Sequence, residues 1–324
     1  MSNFHPVLGA SLGFYENDPD GDPIGSPPVF VSVLISSPIL ENNTASLSGE
    51  FSDPNPDDSF TLIVGWGDGD SDLYNYPIGT TTFNETHQYL DDDPTGTSSD
   101  QYTVDLQIID NTGLSDTETT SVIVNNIAPA LDNISVTSAV NENETATLEG
   151  DITDAGSLDT FTLDVNWGDG TTDTYHYSAG TTSFSETHQY LDDDPTGTSS
   201  DDFTISLTLT DDDTGTDSTS TSITVNNVPP VVSAGPDQQA YPNQMVSFSG
   251  DFSDPGSLDT HTIEWDFGDS TPGASGSLTP THVYTSPGVY TVTLTVSDDD
   301  TGSGFDTLEV TINGYILHLP LSYR

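Results

Sequence analysis

The sequence predicts an all-β chain: three antiparallel β-sandwiches in tandem, strung as a rod, with a short extension at each end. Three observations carry the prediction. Strand-length runs of β-branched and aromatic residues alternate with polar ones, as in VDLQI and YTVTLTVS, between clusters of Gly, Pro, Asp and Asn. No helical periodicity of useful length interrupts them. The chain also repeats itself: Trp66-Gly-Asp-Gly returns as Trp167-Gly-Asp-Gly, and Trp265-Asp-Phe-Gly-Asp aligns as a third copy.

The extension 1–27 holds an apolar piece, FHPVLGASLGF, and an acidic loop. Sandwiches are expected at 28–127, 128–228 and 229–313, each of about seven strands in about 100 residues. Each unit has an acidic turn (FSDPNPDDSFT, ITDAGSLDTFT, FSDPGSLDTHT), then the tryptophan turn, then THQY, THQY or THVY. Each closes on a Val/Ile strand, SVIVNN, SITVNN or LEVTIN. Proline-containing joints, IAPA and VPPV, follow the first two units and stiffen an extended link. The tail 314–324 is a second apolar piece, YILHLPLSY.

Formal net charge is −52, from 53 acids and one base, Arg324. Such a surface repels nucleic acid and anionic membranes, so neither is an expected partner; cations are. There is no cysteine, hence no disulfide or thiolate metal site. No apolar run is long enough to span a bilayer as a helix, so no membrane insertion is expected. The first residues lack the basic stretch of a secretion signal.

The third unit, with HTIEWDFGDS followed by THVYTSPGVYTVTLTVSDDDTG, resembles a PKD (polycystic kidney disease) domain, an immunoglobulin-like module. The first two units resemble its bacterial WGDG variant. The resemblance covers most of the chain. It implies extracellular or cell-surface sandwiches used for spacing, adhesion or assembly rather than catalysis. Units one and two depart from the pattern between their tyrosines: Tyr89 to Tyr102 is seven residues longer than Tyr284 to Tyr290. That insertion, THQYLDDDPTGTSSD including its flank, is letter-for-letter identical in the two units, whereas the strand after it has diverged.

Calcium is the expected cofactor, because it accepts six to eight hard oxygens in irregular geometry. The acidic turns pair Asp53 with Asp58, Asp154 with Asp159 and Asp254 with Asp259. Turn-forming and capping roles are the alternative for these residues. In calcium-binding PKD domains the residue before the tryptophan also ligates. The resemblance thus implies Asn166 and Glu264, while Gly65 offers nothing. Asn126 and Asn227 stand at the joints, where a cation could lock neighbouring units. A second tier comprises Asp91, Asp92, Asp93 and Asp100, with Asp192, Asp193, Asp194 and Asp201. It is expected to be a metal site or a contact between subunits, with calcium as glue. Asp18, Asp20 and Asp22, spaced around a glycine, resemble the acidic segment of bacterial cadherin-like repeats. The terminal hairpins, Asp211-Asp-Asp-Thr-Gly and Asp298-Asp-Asp-Thr-Gly, are a further calcium candidate, but read better as solvated tight turns.

His87, His188 and His282 recur beside a tyrosine and read as packing residues. No hydrolase, zinc-protease or phosphate-loop motif is present, and no carboxylate pair is singled out for catalysis, so an enzyme is not expected. Sequons begin at Asn42, Asn84, Asn133 and Asn143, the candidate glycan acceptors. Tyr74, Tyr76, Tyr175 and Tyr177 are placed to stack on sugars if exposed, which gives a carbohydrate-binding or adhesive module as one alternative. A surface adapted to high salt is another. The two apolar ends suggest strands added to a neighbour's sheet, so the expected partner is a second copy, in a filament or array.

Overall fold

A computed structural model describes residues 25–93 and 95–314. Asp18, Asp20, Asp22 and both apolar end segments lie outside them. The described chain is all strand and turn. Unit one holds β1 (Val29–Ile35), β2 (Ile39–Leu40), β3 (Thr44–Ser52), β4 (Phe60–Gly65), β5 (Ser71–Tyr76), β6 (Thr82–Gln88), β7 (Ser99–Asp110) and β8 (Ser115–Asn125). Unit two repeats these as β9 (Ala130–Val136), β10 (Ala139–Asn141), β11 (Thr145–Thr153), β12 (Phe161–Asn166), β13 (Thr172–Tyr177), β14 (Ser183–Gln189), β15 (Ser200–Asp211) and β16 (Thr216–Asn226).

In unit three the same path is more broken. Its strands are β17 (Val231–Ser233), β18 (Gln238–Ala240), β19 (Met245–Ser247), β20 (Asp251–Ser253), β21 (Thr262–Asp266), β22 (Ala274–Ser275), β23 (Thr281–Val283), β24 (Gly288–Ser297) and β25 (Ser303–Ile312).

Each of the first two units is a sandwich of a three-stranded and a five-stranded sheet. The orders are β1-β3-β6 over β2-β8-β7-β4-β5, and β14-β11-β9 over β10-β16-β15-β12-β13. Unit three keeps the five-stranded sheet as β18-β25-β24-β21-β22 and splits the other into two pairs. The short strand β2, β10 or β18 runs parallel to the last strand of its unit; the other pairings are antiparallel. Alternation sends one face of each strand inward: β7 and β15 share one burial pattern along all their length, although most of their letters differ. Among the described residues three separate apolar cores result, one per unit, and no core cluster spans two units.

The repeated histidine is a packing residue, as its position suggested. His87 stacks on Trp66 at 4.8 Å and 8°, stands edge-on to Tyr89, and pairs with Asp68 at 2.6 Å. The buried Tyr89 hydroxyl donates to the Trp66 carbonyl at 2.8 Å. Unit two repeats this with Trp167, His188, Tyr190 and Asp169. In unit three the stacked ring is Phe267, not Trp265: His282 lies on Phe267 at 4.2 Å, and Tyr284 donates to the Phe267 carbonyl. The structural counterpart of Trp66 is therefore Phe267, two residues later than the tryptophan alignment places it. Asp266, not Glu264, matches Asn166; each side chain accepts the amide two residues on, from Gly268 and Gly168.

Candidate metal centre

Each sandwich has two chemically different poles. The leading pole carries the acidic turn before β4, β12 or β21 and the hairpin that joins the last two strands. The trailing pole carries the tryptophan turn, the turn after β2 or β10, and the inserted loop. Consecutive units meet trailing pole to leading pole, and the acids of both converge there.

At the first joint, Glu41 N donates to Asn125 O, and Glu41 Oε1 accepts the Ile127 amide at 2.6 Å, which ties the linker to unit one. The Asn126 side chain reaches forward to Asp211 Oδ2 at 2.9 Å. The inserted loop turns outward: Leu90 O accepts the amide of Ser157, in the acidic turn of unit two, at 3.2 Å. Glu41 and Asp92, from unit one, then lie with Asp154, Asp159 and Asp213 of unit two. Glu41 is 1% exposed, Asp92 0%, Asp159 0% and Asp213 1%. Glu41 groups with Asp154 and Asp159, and separately with Asp91 and Asp92; in each group the oxygens lie within 4.8 Å of one another.

The second joint repeats these hydrogen bonds. Val228 N donates to Glu142 Oε1 at 2.7 Å, Asn227 Nδ2 donates to Asp298 Oδ2 at 3.1 Å, and Ser257 N donates to Leu191 O at 3.1 Å. The acids there are Glu142, Asp192, Asp193, Asp254, Asp259, Asp298 and Asp300. One residue differs in kind. His261 replaces Phe161 and pairs with Asp254 at 2.9 Å.

These carboxylates lack what burial of a charge requires. Among the described residues there is no lysine or arginine, and the ion pairs are His–Asp pairs. Glu41 Oε2, both oxygens of Asp92 and Asp159, and Asn126 Oδ1 are buried without a hydrogen-bond partner. So are Glu142 Oε2, both oxygens of Asp193 and Asp259, and Asn227 Oδ1. Two carboxylates at this spacing repel by about 3–4 kcal/mol even with substantial dielectric relief. Burial, then Asp154, Asp92 and Asp91, push Glu41 up to about 8; burial, then Asp259, Asp254 and Asp193, push Glu142 to about 8. Asp159 rises to about 9 through burial and Glu41, and Asp92 and Asp193 to about 7 through burial and Asp213 or Asp300. Such groups must either take a proton or be met by a cation.

The donor set fits a hard dication. It consists of carboxylate and amide oxygens from several segments, with no thiolate. Glycine makes room for it: a Cβ on Gly156 would strike Asp159 and Glu41, and one on Gly256 would strike Asp259 and Glu142. A cavity of about 390 Å³ lies beside the first joint, lined by Asp68, Asp91, Asp93, Leu158 and Asp212 among others, and reaches the joint at Asp91.

The predicted residues divide cleanly. Asp154, Asp159, Asp254, Asp259, Asn126, Asn227, Asp91, Asp92, Asp192 and Asp193 are at the joints. Asn166 and Glu264 are not: both are exposed on β12 and β21, and Asn166 caps a turn. Asp93 and Asp194 face solvent. Asp100 and Asp201 hold the loop's own shape by accepting the amide and hydroxyl of Thr95 and Thr196. Asp53 and Asp58 meet Asp110 at the leading pole of unit one, where Asn55 stands in place of Gly156 and accepts the Ser26 amide. The loop contact anticipated between subunits is seen here between consecutive sandwiches of one chain.

Glu41 and Glu142 escaped the sequence reading, and the hairpins that carry Asp211, Asp213, Asp298 and Asp300 read there as solvated turns. Glu41 and Glu142 were visible as one glutamate recurring 101 residues apart, with Pro242 at the third copy. The sequon asparagines are exposed. The four tyrosines are partly buried against the cores, Tyr76 and Tyr177 donating to Glu85 and Glu186.

A PKD-domain family model matches residues 227–312. No curated protein matches the sequence. Among solved structures, the tetra-tandem repeat from the extending region of a large adhesion protein is 17% identical, over 89% of this chain and 74% of that one, with a TM-score of 0.40. Sidekick-1 immunoglobulin domains 1–5 are 12% identical over 92% of this chain, which spans 61% of theirs, with a TM-score of 0.39. A two-domain fibronectin type III segment of chicken tenascin is 15% identical, over 61% of this chain and 99% of that one, at 0.34. No described helix is long and apolar enough to cross a membrane. PKD and other immunoglobulin-like modules are typically non-enzymatic and extracellular. Residues 227–312 match the PKD-domain model, and the two sandwiches before them share the strand order of its five-stranded sheet, an arrangement consistent with tandem PKD-like domains.

Proposed function

We propose that this chain is a non-enzymatic extracellular spacer whose joints are stiffened by calcium. Its work is mechanical: it holds what is attached to it at a set distance and angle, as part of an adhesive or structural surface protein. The observation that carries the reading is the set of orphaned, fully buried carboxylate oxygens contributed by both partners at each joint. A cation there bonds two sandwiches at once. It takes the place that disulfides hold in cysteine-bearing rods. Calcium suits it better than magnesium, which demands near-ideal octahedral geometry and keeps its waters.

Small-angle scattering of the full chain in millimolar calcium and in chelator, at matched ionic strength, tests this. The reading expects one extended conformation in calcium and a broad distribution of inter-unit angles in chelator. Identical curves would remove calcium from the account. Self-assembly into a filament is a separate reading, motivated by the apolar stretches at 1–14 and 315–321. A chain lacking 1–14 that still assembles would end it.

A further inference from the structure

We propose that each joint holds two divalent cations, not one, bridged by a single glutamate, and that the inserted loop exists to supply the second. This deepens the calcium reading and rests on it.

The placement of the orphaned oxygens argues for two ions. Asp159 and Asp92 are both fully buried, and both oxygens of each are without a partner. They belong to different groups: Asp159 lies with Asp154 and Glu41, and Asp92 lies with Asp91 and Glu41. One ion seated between Asp154 and Asp159 would leave Asp92 buried, charged and unmet. Glu41 alone is common to both groups. Its Oε1 is engaged by the Ile127 amide, whereas Oε2 is buried and faces the acids without a partner.

Both ions span the joint. The inner one takes Glu41 from unit one and the Asp154–Asp159 turn from unit two. The outer one takes Asp91 and Asp92 from the loop, and Asp213 of unit two, 1% exposed with an orphaned Oδ1, stands opposite Asp92. The second joint offers the same halves, with Glu142, Asp193 and Asp300 equivalent to Glu41, Asp92 and Asp213. Unit three has neither the glutamate, replaced by Pro242, nor the loop, replaced by a short turn. The bridging glutamate and the loop are thus present together or absent together, as a two-ion site requires.

The test is native mass spectrometry of the full chain with calcium, comparing the parent with Asp92→Asn/Asp193→Asn and with Asp159→Asn/Asp259→Asn. Each double variant should carry two calcium ions fewer than the parent, one per joint. Asp213→Asn/Asp300→Asn serves as a second outer-site variant, and circular dichroism in chelator checks that every variant is folded. If the outer-site variants bind as many ions as the parent while the inner-site variants lose two, the second ion is refuted and the calcium joint survives. If the parent binds none, the calcium reading itself falls.

Discussion

A single methyl group separates the metal account from a packing account. Gly156 does not sit at positive φ, so alanine suits its backbone. A Cβ there would stand 2.5 Å from Glu41 Oε2 and from Asp159 Oδ2, well inside ordinary contact. Asp159 Oδ1 is as close, so all three oxygens must retreat by about 0.9 Å or more, whereas a metal site tolerates about 0.2 Å. Calcium affinity at that joint should fall about 10- to 100-fold, the usual cost of disturbing a ligand's support, or about 1.4–2.7 kcal/mol. In chelator the sign reverses. Alanine restricts the unfolded chain, worth about 0.4–1 kcal/mol, and without an ion the two carboxylates are free to give way. Gly156→Ala/Gly256→Ala should therefore melt at or above the parent in chelator and below it in calcium. Calorimetric titration gives the affinity and scanning calorimetry the crossing. A variant equally destabilised in both media would show that Gly156 serves packing, not a cation.

Three more outcomes follow from the same geometry. In chelator, stability should fall as pH rises from about 5 to 8: Glu41 and Glu142 at about 8 and Asp159 at about 9 hold protons that the unfolded chain loses near its ordinary carboxylate range, so their repulsive cost is absent at low pH and complete above pH 8 to 9. In calcium the trend should flatten or reverse, since protons compete with the ion; melts across pH in both media check the pair of slopes. Tyr89→Phe orphans the buried Trp66 carbonyl and should cost about 1–3 kcal/mol, equally with and without calcium, by denaturant titration. Asp100→Ala removes the acceptor for the Thr95 amide and hydroxyl; it should loosen the loop and weaken the outer ion while leaving the melt in chelator unchanged.

Much of the fold was legible because strand alternation and turn chemistry are local signals. The misplaced register in unit three shows where such signals end. Trp265 and Trp66 share a letter, yet the buried slot over the histidine is a three-dimensional property, and Phe267 fills it. The joint was half legible for the same reason. The acidic turns and the DDDP loop announce themselves by density of charge. Glu41 is one of 53 acids, and only the closing of β2 onto β8 brings it under the next unit. The terminal hairpins looked solvated because an Asp-Thr-Gly turn in isolation is; the neighbouring sandwich buries Asp213 and Asp300.

The same geometry offers a reason for the two identical loops. A strand keeps its role under any alternating apolar sequence, so β7 and β15 diverge while burying the same positions. The loop is bound by more conditions: Leu90 O meets Ser157 N, Asp92 must enter the joint, and Asp100 must hold the turn. Substitution of Asp92 or Asp100 would remove a side chain on which the loop's place or shape depends.

The most direct measurement is the thermal unfolding midpoint of the intact chain in calcium, in chelator, and in sodium or potassium chloride of equal ionic strength. Saturation to 100 times the dissociation constant adds about 2.7 kcal/mol for each site, so the account predicts a midpoint several degrees higher in calcium than in either monovalent salt. Equal midpoints in calcium and in monovalent salt would contradict it and leave the acidity as an adaptation to salt.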